Sequence, residues 1–233
     1  MKQLKFCVKV YGKTYHYSAS FFLLEAMALL FVIEHLEAEC GKWLYFEYEN
    51  ASRIVGRERL IFTSVKRAED AEILSNLGVV RRESFIDLFD QKKIIILDPR
   101  AKERLKPEDL ISKEAVIIGG ILGDHPPRGR TRRLITLRAP EAAAKSIGRG
   151  QFSIDGAVYV TNLVSEGFRL EDIPVRRGLR VKVNDVIEVY LPYMYPLKDG
   201  KPVVSEKLLR YIASVEIVRD EEELLRGINR EEE

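Results

Sequence analysis

Short apolar runs alternate along the chain with longer segments in which apolar and polar positions are mixed. Residues such as Val116, Ile117 and Ile118 are apolar at successive positions, which is typical of strands covered on both faces of a parallel sheet. The predicted strands are 29–33, 60–63, 93–97, 116–118 and 142–147. The predicted helices are 39–54, 66–76, 83–89, 105–110 and 155–165. Strands and helices at this spacing predict an α/β fold with a largely parallel, Rossmann-like sheet.

The two ends of the chain depart from this alternation. Polar and apolar side chains alternate along residues 4–17 on the two sides of a glycine, which predicts a β-hairpin. The apolar stretch that follows it contains Glu25 and is too short for a bilayer span, so no membrane role is expected. Short strands at 180–183 and 186–191 and a helix capped by Ser205 predict a β-rich C-terminal part. The predicted division is an N-terminal extension (1–26), a main domain (27–168), a β-rich part (169–215) and an acidic tail (216–233).

The composition excludes several classes of protein. The 233 residues include 38 basic and 36 acidic side chains, for a net charge of +2, so bulk charge does not hold this chain to nucleic acid. Cys7 and Cys40 are far apart and match no zinc or redox motif, which favours a reducing compartment, the cytoplasm. The three histidines are scattered, and no metal site is expected.

Residues 115–133, AVIIGGILGDHPPRGRTRR, concentrate the groups that could perform chemistry. Gly119 and Gly120 end a buried strand, where the backbone can turn sharply and a ligand can approach closely. Asp124 and His125 follow, and the two prolines after them stiffen the loop. Taken alone, this stretch is equally suited to a phosphate site and to a hydrolase loop.

A run of basic residues begins in the same loop. Between residues 128 and 149, arginines and one lysine are accompanied by a single acid, Glu141. This local patch could bind phosphate or an acidic surface. It could equally be a solvated face, since no set of aromatic residues for base stacking accompanies it.

Three segments together resemble the SPOUT class of methyltransferases: LDPR at 97–100, GGILGDHPPRGRT at 119–131 and IGRGQFSID at 147–155. They are most similar to the branch of predicted S-adenosylmethionine (SAM)-dependent RNA methyltransferases whose eukaryotic member methylates an arginine of a small-subunit ribosomal protein. The similarity extends from about residue 29 to about residue 213. It implies that the C-terminal part of the α/β domain is threaded as a deep trefoil knot, a feature that periodicity does not predict.

The resemblance also implies that SAM binds among these three loops, each of which follows a predicted strand. Glycines allow close approach, apolar side chains can wall the adenine, and a carboxylate suits the sulfonium cation. The residues assigned to the cofactor are Leu97, Asp98, Pro99, Gly119, Gly120, Ile121, Leu122, Gly123, Ile147, Gly148, Gln151, Phe152 and Ser153.

An arginine substrate would need carboxylates that grip the guanidinium and accept its proton. Asp124 is the best candidate, with Glu34 and Glu37 as helpers at the edge of the first strand. His125 is a second candidate base, or it only hydrogen-bonds its own loop. The predicted substrate-binding cations are Arg100, Arg128 and Arg130; the first two could instead pin loops by pairing with acids.

Three substrate hypotheses remain open at this point. The first is methylation of an arginine in a ribosomal protein, which the motif similarity and the acids favour. The second is methylation of ribosomal or transfer RNA, which the arginine run favours. The third is an RNA-binding assembly factor that has the fold without catalysis. The sequence does not decide between a monomer and a homodimer.

Overall fold

The structure is a computed structural model that describes residues 5–10, 13–18 and 29–214, together with residues 216, 217 and 220. At the N-terminus, β1 (Lys5–Val10) pairs antiparallel with β2 (Lys13–Ser18), with Lys5 opposite Ser18. The predicted hairpin pairing is therefore confirmed. The connecting residues and most of the predicted acidic tail lie outside the described residues.

A parallel sheet forms the centre of the fold. Its strands are β3 (Leu30–His35), β4 (Leu60–Thr63), β5 (Val79–Val80), β6 (Ile94–Leu97), β7 (Ala115–Gly120) and β8 (Ala143–Lys145). Within the described residues the six strands lie in the order β5-β4-β3-β7-β6-β8, and every neighbouring pair is parallel. The predicted α/β class is confirmed. Strand β3, predicted as 29–33, extends two residues beyond its predicted end because Glu34 and His35 pair with the glycines that end β7.

Helices connect and cover the strands. They are α1 (Lys42–Val55), α2 (Ala68–Leu74), α3 (Phe85–Leu88), α4 (Pro107–Leu110), α5 (Arg130–Leu134), α6 (Ile154–Ser165) and α7 (Glu206–Ile212). The first begins three residues after its predicted start, because Gly41 is extended and acts as its N-cap. Among the described residues, no helix has both the length and the apolar character that crossing a bilayer requires.

The two faces of the sheet bury two separate apolar cores, because successive side chains of a strand point to opposite faces. On β3, Phe31 and Ile33 pack with α1 and α6, whereas Val32 packs on the other face with Phe85 of α3. All four of these side chains are fully buried. The unbroken apolar runs of the sequence are explained by this burial on both faces.

The β-rich part contains β9 (Val175–Lys182), β10 (Glu188–Lys198) and β11 (Lys201–Pro202) in an antiparallel sheet. The two long strands exceed their predicted ranges because the pairing continues past an irregularity between Leu191 and Met194. Leu191 packs with Leu208 of α7 in a third core. Met194 forms a bridge to Phe152, which connects this sheet to the loop before α6.

Candidate active site

A cavity of about 310 Å³ opens at the carboxyl ends of β6, β7 and β8. Its walls come from the three loops that follow these strands, together with the start of α6. The lining includes every predicted cofactor residue except Gly120 and Gly123, namely Leu97, Asp98, Pro99, Gly119, Ile121, Leu122, Ile147, Gly148, Gln151, Phe152 and Ser153. The volume lies at the lower end of the roughly 300–1,000 Å³ usual for small-molecule sites. The fold therefore brings together the three segments that are far apart in the sequence.

The first loop is held by the buried carboxylate of Asp98. Its Oδ1 accepts a hydrogen bond from the Arg100 backbone N–H at 2.8 Å, and its Oδ2 accepts one from the Thr136 hydroxyl at 2.8 Å. The Arg132 guanidinium lies 4.0 Å away. Because these partners bind both carboxylate oxygens, the side chain of Asp98 stabilises the loop that forms this wall of the cavity.

The third loop is a glycine turn that leads into α6. Gly148 and Gly150 have φ angles of 143° and 101°, which residues with side chains rarely adopt. The Ser153 hydroxyl accepts a hydrogen bond from the Gly156 N–H at 3.3 Å and caps α6. The carbonyl of Gln151 accepts a hydrogen bond of 2.7 Å from Met194, so β10 braces this wall of the cavity.

Gly120 contributes to packing and does not line the cavity, which corrects the sequence prediction. A Cβ atom there would lie 2.9 Å from the Glu34 carbonyl oxygen and would collide with the Tyr48 hydroxyl. Gly123 is also outside the lining. Its carbonyl accepts a hydrogen bond of 2.8 Å from the Tyr193 hydroxyl. Both glycines thus support the second loop from behind.

Tyr193 is a residue of the site region that the sequence interpretation missed. Its ring lies close to Gly123, and burial raises the pKa of its hydroxyl above the ordinary value. No sequence signal marks it, because Tyr193 is some 70 positions from Gly123 along the chain. The tyrosine holds the second loop against the β-rich part.

An arginine, Arg130, is clamped by acids at the mouth of the cavity. Its Nε donates to Asp124 Oδ2 at 3.0 Å, and its Nη1 donates to Glu37 Oε1 at 3.0 Å. Its Nη2 donates to the carbonyl of Leu122. Glu37 lies outside the lining of the cavity, yet its Oε1 also accepts the Leu122 N–H at 2.7 Å. The mouth therefore joins two predicted acids, Asp124 and Glu37, to one predicted cation.

The structure does not bring Glu34 to the cavity, so the geometry does not support its predicted catalytic role. The side chain is fully buried on the face of the sheet that packs against α3. Its carboxylate accepts hydrogen bonds from the hydroxyls of Thr63, Ser64 and Ser84 and from the Phe85 N–H. With four donors bound and no exposed surface, Glu34 organises the loops after β4 and before α3.

His125 is exposed and does not line the cavity, so the geometry does not support it as a base. Arg100 and Arg128 are exposed side chains that do line it. One Nη of Arg100 lies 3.5 Å from the Pro127 carbonyl, which links the first loop to the second. Their assignment to substrate binding stays a prediction.

Two buried acids lie directly behind the third loop. Glu47 of α1 accepts hydrogen bonds from the Ile154 N–H at 2.8 Å and from the Trp43 indole at 2.9 Å. Asp155 accepts one of 2.8 Å from the Asn50 amide. Burial, together with the nearby charge of Asp155, raises the pKa of Glu47 to about 8. This pair fixes the start of α6, which forms part of the cavity wall.

The family described as protein arginine N-methyltransferase SFM1-like has a sequence model that matches residues 30–217 of this chain. The chain belongs to this family. It is 31% identical over 198 residues to protein arginine N-methyltransferase SFM1 of Saccharomyces cerevisiae, covering 78% of this chain and 93% of that protein.

Two crystal structures of the yeast arginine methyltransferase SFM1 agree with the fold of this family member. The complex with SAM matches with a TM-score of 0.73 at 32% identity, covering 82% of this chain and 93% of that chain. The complex with S-adenosylhomocysteine matches with a TM-score of 0.71 at 32% identity, covering 78% and 94%. The predicted resemblance to the SPOUT-class branch is confirmed, while the trefoil knot stays a prediction.

Proposed function

We propose that this protein is a SAM-dependent methyltransferase that modifies an arginine side chain of a protein. The observation that carries the proposal is the acidic mouth of the cavity, where Asp124 and Glu37 both bind a guanidinium at 3.0 Å. The yeast relative is named a protein arginine N-methyltransferase, and its structures include complexes with SAM and with S-adenosylhomocysteine. Carboxylates at this position suit a cationic, planar substrate group better than a nucleobase.

The residues of the cavity fit the cofactor. Ile147 and Phe152 provide apolar surface for an adenine ring, and the turn at 148–151 provides closely approachable backbone amides. Ile118 and Ala157 complete the apolar wall. When bound, SAM supplies a methyl group activated by its sulfonium cation.

Asp124 is the proposed catalytic residue. A guanidinium is cationic in water, so its nitrogen becomes nucleophilic only if a proton leaves as the new bond forms. The Asp124 carboxylate is half-buried at the mouth and already lies at hydrogen-bond distance from a guanidinium nitrogen. It can therefore orient the substrate nitrogen and accept its proton, while Glu37 fixes the other side of the group.

The finer proposal for the substrate is an arginine of a ribosomal protein, which would place the enzyme in the cytoplasm. One observation favours RNA as the alternative substrate: the exposed Arg128 lines the cavity and the exposed Arg132 lies 4.0 Å from Asp98 in its wall, where both could bind phosphates. An RNA-binding assembly factor without catalysis is the remaining alternative.

Methyl transfer from tritiated SAM to ribosomal subunits tests the proposal. After the reaction, the protein and RNA fractions are separated, and the labelled protein is hydrolysed to identify methylarginine. We expect the label in methylarginine. Label in RNA would favour the alternative substrate, and label in neither fraction, with SAM binding measured in parallel, would refute both enzymatic hypotheses.

A further inference from the structure

The guanidinium of Arg130 is bound on three sides by groups from the loop after β3 and from the loop that joins β7 to its own helix, α5. Nε and Nη1 donate to the carboxylates of Asp124 and Glu37, and Nη2 donates to the carbonyl of Leu122. Two carboxylates and a carbonyl match the planar, donor-only fork of a guanidinium, and a lysine ammonium could not satisfy them in the same way. The arrangement is a receptor for an arginine side chain.

The Glu37 carboxylate and the backbone that carries the Leu122 carbonyl are held in place by bonds that do not involve Arg130. Glu37 Oε1 accepts the Leu122 N–H at 2.7 Å, which fixes this carboxylate to the second loop. The carbonyl of Gly123, between Leu122 and Asp124, is fixed by the Tyr193 hydroxyl at 2.8 Å. This part of the receptor is thus preorganised and can accept another guanidinium without being rebuilt.

Arg130 itself is held less firmly. It is the first residue of α5, which has five residues and follows Gly129 without a side-chain cap. Its side chain is 24% exposed, and its two acidic partners are 22% and 26% exposed. Because solvent reaches all three side chains, salt screens these ion pairs in part. Among the ion pairs of the described residues, those of Asp124 and Glu37 are both made with Arg130.

We propose that Asp124, Glu37 and the Leu122 carbonyl form the subsite for the substrate guanidinium, and that Arg130 is an internal competitor which the substrate arginine displaces. This inference rests on the proposed arginine methyltransferase function and deepens it. The apparent Kd for an arginine ligand is the intrinsic Kd divided by the fraction of molecules in which Arg130 has left the subsite, so the competitor weakens binding. A lone arginine therefore binds poorly, and a substrate must add contacts elsewhere on its chain.

Calorimetric titration of the full chain, saturated with S-adenosylhomocysteine, with N-acetyl-arginine amide tests this inference. We expect Arg130→Ala to bind the probe about tenfold more tightly than the wild-type protein, because the competitor is gone. Arg133→Ala is the matched control, since Arg133 is an exposed arginine of the same helix and does not line the cavity. Its affinity should equal that of the wild type. Adding Asp124→Asn to Arg130→Ala should abolish the gain.

Equal or weaker binding by Arg130→Ala, with affinity for S-adenosylhomocysteine retained, would overturn the inference. A second measurement uses the wild-type protein and so does not depend on a variant that folds. In a nitrogen-15 NMR spectrum, saturating methylguanidine should shift the Arg130 Nε–H signal as this side chain leaves Asp124. An unchanged signal at saturation would contradict displacement.

The titration contains no methyl donor, so its outcome is separable from that of the methyl-transfer assay. Tighter binding by Arg130→Ala without any transfer to protein would leave the guanidinium subsite standing and refute the proposed function. Transfer to protein arginine without the gain in affinity would refute only the competitor role of Arg130.

Discussion

Replacing Glu34 should destabilise the fold without acting directly on the reaction. The buried carboxylate accepts hydrogen bonds from three hydroxyls and from the Phe85 N–H. In Glu34→Ala, the Thr63 hydroxyl keeps an alternative acceptor, the Ile33 carbonyl at 3.5 Å. The hydroxyls of Ser64 and Ser84 and the Phe85 N–H lose their acceptor in a buried site at about 1–3 kcal/mol each, so the expected loss is about 3–9 kcal/mol.

Glu34→Gln should cost less, about 1–3 kcal/mol, because the two bonds to Oε2 are kept while charge assistance and the acceptor of two serine hydroxyls are lost. The Gln carbonyl can still accept from Thr63 and from the Phe85 N–H. Its amino group then faces the hydroxyls of Ser64 and Ser84, which can rotate to accept. The expected order of unfolding free energy is therefore wild type, then Gln, then Ala.

Urea unfolding followed by circular dichroism measures this series. Glu39→Ala is the control, because Glu39 is an exposed acid of the same region that is paired to an exposed arginine, Arg67. It should stay within about 0.5 kcal/mol of the wild type. If Glu34→Ala were as stable as this control and yet lost methyl transfer, the structural role would be refuted and the catalytic role restored.

Three further predictions follow from the site and its supports. Asp124→Asn should lower methyl transfer at least about 100-fold, with an unfolding free energy near that of the wild type; activity within a few fold would refute the proposed base. Gly120→Ala should cost about 1–3 kcal/mol in urea unfolding through its backbone collision. Gly119→Ala, which meets only flexible side-chain ends, should cost less, and equal losses would contradict the packing argument. Because the folded-state pKa of Glu47 is raised to about 8, stability should fall as pH rises from about 4.5 to 8. In Glu47→Gln, the unfolding free energy measured in urea at several pH values should lose up to about 1.4 kcal/mol less per pH unit than in the wild type. Parallel curves of unfolding free energy against pH for the two proteins would refute this role of Glu47.

Some predicted site residues are marked by the sequence next to them, whereas the place of others depends on how the strands pack. Glycines after a buried strand, such as Gly119 and Gly148, correctly marked the loops that line the cavity. Glu34 is buried outside the cavity, which its position did not reveal, because position alone does not tell which face of the sheet a side chain at a strand end will occupy. One residue further along β3, the side chain of His35 lies on the opposite face and contacts Tyr48 at 3.0 Å.

Long-range pairings were beyond sequence reasoning for a related reason. The bond from Tyr193 to the Gly123 carbonyl joins the β-rich part to the second loop across 70 positions. The clamp of Arg130 unites the loop after β3 with the loop after β7. Neither arrangement leaves a periodic pattern, because each depends on how separate elements dock.

The sequence by itself determined the α/β class, the three loops that line the cavity and the family resemblance. These depend on short-range patterns: unbroken apolar runs that require burial on both faces, and glycines where the backbone must turn. The tertiary structure alone decided which acids share the mouth of the cavity and which is a buried support. Parallel strands bring distant loops to one edge, so the pairing of Asp124 and Glu37 around one guanidinium follows from strand order and register, which are set by packing over the whole chain.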